Sequence, residues 1–377
     1  MEVIIIVFFL ITLFYILFIG QLISGYHKIK DFETSSIPPT TKFSLIVPCR
    51  NEAKNLPKFL QSIAHLNYPQ DAFELILIDD FSTDNSARIF NQWRMQNGRI
   101  ETTLLENLRL SNSPKKDAIT RAVPILKHPW IITTDADCVV APNWLQVLDQ
   151  YIQQTQAEML VGAVVYKTKN NWFHHFQQFE LLALQATTIG SFGIGKPFMC
   201  NGANFAYSKD FFNRLGGFGG INDRASGDDV LLLQKAIEKE PAKVQFVKNP
   251  QNIVTTKPEN DLYQLFMQRV RWASKTSSYK NTYAQMLAVV VLLMNTAIVA
   301  GILLSLLGKL DYRIFLIVFT FKYLIDYSLM YPSKKYLLPH RLVLPVASSL
   351  LYPFFSVLVG YYSLFGSFTW KGRSFSK

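Results

Sequence analysis

Two aspartates one residue apart, Asp135 and Asp137, follow the apolar run 130–134 (WIITT). In an extended backbone, residues i and i+2 point the same way. The pair could therefore present two carboxylates to one divalent cation. Oxygen ligands suit Mg²⁺ or Mn²⁺ bridging to phosphate oxygens, where the ion would neutralise charge on a departing diphosphate. The plain alternative is a loop with two solvated aspartates. Two more polar clusters end apolar runs in the same way: Pro48-Cys49-Arg50-Asn51-Glu52 after 43–48 (FSLIVP), and Asp79-Asp80-Phe81-Ser82 after 73–78 (FELILI). Ligands of open parallel sheets bind beyond the carboxyl ends of the strands. If the three runs are neighbouring strands, their polar ends converge on one crevice. Acidic residues also cap helices after strands, so each cluster alone says little.

The elements that must position these groups follow from periodicity. Residues 43–275 alternate short apolar runs with amphipathic stretches, which reads as βαβ units around a mostly parallel sheet. Residues 3–19 form an uninterrupted apolar run of near-spanning length, preceded by Glu2 and followed by His27, Lys28 and Lys30. A cleaved signal peptide would have a basic start and a small-residue cleavage site. Neither is present, so the run reads as an anchor with its basic flank inside. Residues 283–308, 312–331 and 341–366 are three further candidate spans, the last with Pro345 and Pro353. Four spans would return the C-terminus to the outside, whereas Lys371, Arg373 and Lys377 favour the inside, as does the Lys334-Lys335, His340-Arg341 loop. The expected organisation is an anchor at 1–25, a linker at 26–42 with its Pro-Pro pair, a catalytic domain at 43–280 and membrane helices at 281–377.

The chain is 49% hydrophobic but only 17% charged, which suits a globular domain joined to a few membrane helices. Its net charge of +11 calls for an anionic partner. No helix-turn-helix, RNA-binding or zinc-finger signature accompanies that charge, so anionic lipid and a diphosphate substrate are expected rather than nucleic acid. The three cysteines, Cys49, Cys138 and Cys200, are scattered, which argues against a disulfide framework or a zinc site. A reducing compartment is expected for this part.

Taken in order, V-P-C-R-N-E (47–52), I-D-D-F-S-T-D (78–84), D-A-D (135–137), N-G-A-N (201–204), G-D-D (227–229) and Q-R-V-R-W (268–272) resemble glycosyltransferase family 2. The likeness is to its membrane-bound branch, which includes ceramide glucosyltransferases and polysaccharide synthases. It implies a Rossmann-like GT-A catalytic domain of α/β class, flanked by N- and C-terminal transmembrane helices. It further implies an inverting hexosyltransferase acting at the cytoplasmic face of the inner membrane of a cell envelope, with a nucleotide-sugar donor (uridine expected) and a lipid or glycan acceptor. By resemblance, Glu52, Asp79 and Asp80 hold the nucleoside. Lys115 or Lys116, in S-P-K-K-D-A-I, faces the nucleotide, with Lys116 the chosen candidate. Asp135 and Asp137 take the Mg²⁺ or Mn²⁺, and Asn201 to Asn204 line a sugar or acceptor pocket, with a plain Asn-Gly turn as the alternative.

Asp229 matches the family's catalytic base, and the usual Glu-Asp is Asp228-Asp229 here. A carboxylate beside apolar Val230-Leu231-Leu232 suits proton abstraction from an attacking hydroxyl. A helix N-cap is the alternative. Gln268, Arg271 and Trp272 stand at i, i+3 and i+4, one helical face. Arg271 would pair with diphosphate oxygens, and Trp272 offers a flat surface to a sugar or acceptor. An interfacial helix with an aromatic belt residue reads the same residues differently. Three functional readings follow: a single-transfer enzyme on a lipid, a processive polysaccharide synthase, and an inactive tethered scaffold. The adjacent pair His174-His175 is discounted as a metal site, and Lys322 with Asp326 is read as a local ion pair within a span.

Overall fold

The computed structural model describes residues 2–222, 226–275, 279–339, 345–370 and 373–375. His340, Arg341, Lys371 and Lys377, used above for topology, lie outside the described residues. The elements begin with α1 (Glu2–Lys28), β1 (Phe43–Cys49), α2 (Leu56–Ala64), β2 (Phe73–Asp79), α3 (Ser86–Gln96) and β3 (Glu101–Glu106). They continue with α4 (Pro114–Ala122), β4 (Trp130–Thr133), α5 (Trp144–Gln154), β5 (Met159–Val161), β6 (Val164–Tyr166) and α6 (Trp172–Gly193). Then come β7 (Phe205–Ser208), α7 (Lys209–Arg214), α8 (Val230–Lys239), β8 (Val244–Phe246), β9 (Val254–Thr256) and α9 (Leu262–Ala273). The last are α10 (Thr282–Leu306), α11 (Tyr312–Leu337), α12 (Pro345–Phe365), β10 (Phe368–Trp370) and β11 (Arg373–Phe375).

Two compact units emerge, and neither is one stretch of chain. The first combines residues 1–29, 168–198 and 258–377; the second combines 30–167 and 199–257.

The second unit is built on a seven-stranded mixed sheet of order β3-β2-β1-β4-β7-β5-β8. The strands β3, β2, β1 and β4 run parallel, and β7 is antiparallel to both β4 and β5. Runs such as LIV and LILI are apolar throughout because both faces of a parallel sheet are covered. Leu45, Ile46, Val47, Leu75, Ile76 and Leu77 are all buried. The amphipathic α2 packs Phe59, Leu60 and Ile63 onto that core, with Pro57 in its first turn, where a missing N–H costs nothing. The three polar strand ends lie side by side, as the sequence suggests. Cys49 is in register with Asp79, and Ile46 with Thr133. The reversal at β7 brings a fourth segment to this edge, since Phe205 opposes Thr133 and residues 201–204 therefore flank the end of β4.

Among the described residues, the first unit contains four helices long and apolar enough to cross a membrane: Glu2–Lys28, Thr282–Leu306, Tyr312–Leu337 and Val346–Phe365. Helix α6, which joins this unit from mid-chain, crosses α1 at glycines. A Cβ on Gly193 would lie 1.8 Å from the Gly25 carbonyl oxygen, and one on Gly190 would lie 2.5 Å from that of Leu22. Any side chain there forces the backbones apart. Lys322 does pair with Asp326, at 2.6 Å, and the pair is more than local. The Tyr15 hydroxyl of α1 donates to Asp326 at 2.5 Å, and the Lys322 ammonium lies 5.4 Å from the Tyr15 ring centre. A charge buried at this depth must be paired to persist.

Candidate active site

The loops after β1 and β2 are sewn together. Arg50 Nη1 donates to the carbonyls of Asp80 (2.6 Å) and Phe81 (3.0 Å). The N–H of Asn51 donates to Ser82 Oγ, and that of Ala53 to Asp84 Oδ2, both at 2.9 Å. Asn51 and Phe81 sit in the left-handed region, at φ 54° and 57°. Such a conformation costs a non-glycine residue about 1–3 kcal/mol and persists only where surroundings impose it, most often at functional sites. Glu52 is buried and accepts from Asn55. Asp79 accepts from the N–H of Ser82. Asp80 is buried, accepts from Asn107 Nδ2 at 2.9 Å and pairs with Arg109 at 3.2 Å. Arg109 also lies 5.8 Å from the exposed Phe81 ring. All three acidic residues thus stand at one edge of the sheet.

The D-A-D segment differs from its expected form. It is a turn, closed by the Cys138 N–H donating to the Asp135 carbonyl at 3.0 Å, and not a continuation of β4. Alternation along a strand therefore does not align the two carboxylates; the turn does. One ligand atom each from Asp135, Asp137 and Cys138 lie within 4.8 Å of one another. Cys138, set aside as a metal ligand on spacing, joins the cluster because the turn folds it back. Two carboxylates supply the hard oxygen donors that suit Mg²⁺ or Mn²⁺, and the buried Cys138 sulfur stands beside them. Burial raises the Cys138 thiol well above its ordinary pKa, and Asp137 and Asp135 add to this.

The lysine at this site is Lys115 rather than Lys116. Lys116 is fully buried, and its ammonium donates to the Ile221 carbonyl. Lys115, one position earlier on α4, points its ammonium at Asp135 (2.8 Å) and Asp228 (3.3 Å). Burial works against that charge, yet Asp135, Asp228 and Asp229 together outweigh it and raise the Lys115 pKa. It is therefore a fixed cation and no proton acceptor. Asp229 caps α8, the alternative weighed for it: its Oδ1 accepts from the Val230 N–H at 2.7 Å. Its other oxygen accepts from the Gly202 N–H at 2.9 Å. A Cβ on Gly202 would lie 3.1 Å from Lys115 Nζ and 3.2 Å from Asp228 Oδ2, so the glycine gives the charged cluster its room. Asn204 is not pocket lining. Buried, it donates to the carbonyls of Ala163 and Asn252 and accepts from Trp144 Nε1 at 3.0 Å.

Within the first unit, Gln268, Arg271 and Trp272 all lie on α9. Gln268 Nε2 donates to Glu259 at 2.6 Å. Arg269 is buried in the motif along with Val270: it pairs with Glu180 at 3.1 Å and its guanidinium stands 4.3 Å from the Trp272 ring centre. Its i, i+3 spacing from Trp272 was the available signal. The histidines engage local asparagines, Asn171 Oδ1 accepting from the His174 N–H and Asn170 Oδ1 meeting His175 Nε2.

Comparison with known proteins agrees with this geometry. Residues 44–216 match the family model described as glycosyl transferase family 2. That segment is a family 2 glycosyltransferase domain. The family 2 domain contains every cluster of the second unit except Asp228 and Asp229. Among curated relatives, the chain is similar to glycosyltransferase GlyG of Streptococcus pneumoniae, with 30% identity over 32% of this chain and 38% of that protein. It is also similar to a beta-monoglucosyldiacylglycerol synthase of Nostoc sp., with 26% identity over 61% of this chain and 48% of that one. The chain thus spans half or less of the length of these relatives. The mannosyltransferase PcManGT of Pyrobaculum calidifontis, solved with GDP-Man and Mn²⁺, shares the fold: TM-score 0.58 at 18% identity, covering 90% of this chain and 99% of that one. The sheet and its flanking helices are GT-A-like.

Proposed function

We propose that the protein is an inverting glycosyltransferase, moving a sugar from a nucleotide-diphosphate donor to a lipid or lipid-linked acceptor at the cytoplasmic face of a membrane. The observation that carries this reading is the charged cluster at the ends of β4 and α4, set in a family 2 domain: the Asp135 and Asp137 carboxylates with Cys138 beside them, and the Lys115 ammonium 2.8 Å from Asp135. A divalent ion held there would neutralise negative charge on the leaving diphosphate. Lys115 adds a second, permanent positive charge for the same oxygens. Glu52, Asp79 and Asp80 hold the nucleoside, with Arg109 fixing the Asp80 carboxylate. Asp229 is oriented by two N–H groups and takes the proton of the attacking hydroxyl, leaving Asp228 to hold Lys115. Arg271 pairs with diphosphate oxygens and Trp272 presents its ring to the acceptor.

The lipid acceptor is supported by the four span-length helices and by the activity named for the Nostoc relative. Lys28 and Lys30, after the first span, favour placing the family 2 domain on the cytoplasmic side. The test is a donor screen with purified protein and a total lipid extract, read by mass spectrometry. A single-sugar mass increment on a lipid is expected, dependent on Mn²⁺ or Mg²⁺. A ladder of increments would instead establish the processive reading, and no cleavage of any donor would leave the scaffold.

A further inference from the structure

The motif helix α9 carries its functional side chains next to a bracket made by α6, within the same unit. Gln177 and Glu180 stand three apart on α6, so they share one helical face. Gln177 holds Glu259 at both ends of its backbone, accepting from the Glu259 N–H at 2.8 Å and donating to its carbonyl at 3.0 Å. The Glu259 carboxylate in turn receives Gln268. One turn along, Glu180 receives Arg269; both side chains are 6% exposed. The guanidinium then lies against the Trp272 ring, and it also donates to Gln268.

We propose that Glu180 is a positioning residue for transfer: by fixing the plane of the Arg269 guanidinium it fixes the Trp272 indole that faces the acceptor. This rests on the glycosyltransferase reading of Trp272 above. A guanidinium is planar and stacks on aromatic faces, and a carboxylate that accepts from its fork removes its freedom to swing off the ring. Without Glu180, a buried arginine would seek water or another partner, and the indole would lose its backing. Burial raises the Glu180 carboxyl above its ordinary pKa while Arg269 opposes that, so the anion depends on its partner. A purely structural ion pair would stabilise the fold without any selective effect on the acceptor.

The experiment uses the full chain in lipid nanodiscs with Glu180→Gln, Glu180→Asp and the double variant Glu180→Gln with Arg269→Gln, which leaves no unpaired buried charge. Acrylamide quenching of Trp272, taken as the difference from the same background carrying Trp272→Phe, needs no substrate. It should rise at least about twofold in Glu180→Gln and in the double variant, and stay near the parent in Glu180→Asp. Transfer to the acceptor should fall about 10–100-fold in kcat/KM, as a misplacement of about 1 Å can cost. Donor hydrolysis by water should stay within about threefold. Unchanged quenching, or transfer and hydrolysis falling in parallel, overturns the proposal. If the parent cleaves no donor at all, the glycosyltransferase reading fails, and quenching alone decides whether Glu180 positions Trp272.

Discussion

Asp137→Ala should reduce sugar transfer by about 10³-fold or more, because a bound ion supplies several kcal/mol of charge stabilisation on the leaving group. Chelation of the parent should cost as much and be reversed by Mn²⁺ or Mg²⁺. Binding should fail with turnover: Mn²⁺ titrated into the parent and followed by electron paramagnetic resonance should bind, and in Asp137→Ala it should not. The Asp137 carboxylate is one of the two oxygen donors in this turn, and Asp135 alone leaves too few oxygens for a divalent cation that takes about six or more. Lys115 sharpens the expectation. Its ammonium already sits 2.8 Å from Asp135, so in Asp137→Ala the lysine remains the main cation near that turn. It cannot replace an ion that takes several oxygens at once. Full activity in chelator would remove the metal from the mechanism.

Asp229→Asn should lower transfer by about 10²–10⁴-fold per folded molecule, the usual contribution of a general base. The structure alters how this substitution must be judged. Asparagine normally caps a helix as well as aspartate. Here both carboxylate oxygens accept N–H donors, from Val230 and Gly202. An amide has one acceptor oxygen, so its NH₂ would face one of those N–H groups and cost about 1–3 kcal/mol in stability. Melting temperature must therefore be measured alongside turnover, and donor binding should remain near normal. Asp228→Asn is the control, with a milder expected loss because Lys115 keeps Asp135. If Asp229→Asn turns over like the parent once corrected for folded fraction, or if Asp228→Asn is the more damaging, Asp229 is not the base.

Much of the second unit is legible from local pattern. The largely apolar runs at 43–48, 73–78 and 130–134 hold β1, β2 and β4, because runs that short, rich in β-branched residues and bounded by polar ones, suit strands buried on both faces. Their acidic ends follow directly. The 135–137 segment follows β4 as a turn and not as strand: a period-two pattern shows that carboxylates lie near one another, not that the chain has stopped being a strand. Arg269 is not legible in the same way, because its partner Glu180 lies 89 positions away.

What the sequence determined, then, is the set of elements, the polar strand ends and the four apolar helices, since each depends on a period or a run within about 25 residues. What only the tertiary structure decided is partnership across the chain. Lys115 rather than Lys116 meets Asp135 and Asp228, because α4 turns one neighbour toward the cluster and the other toward Ile221. The antiparallel β7 brings Gly202 to Asp229. Glu180 meets Arg269 across 89 positions, and α6 groups with residues 1–29 and 258–377 rather than with the sheet that precedes it. Helical period fixes which residues of one element share a face; which other element that face meets is set by packing, and packing has no local signature.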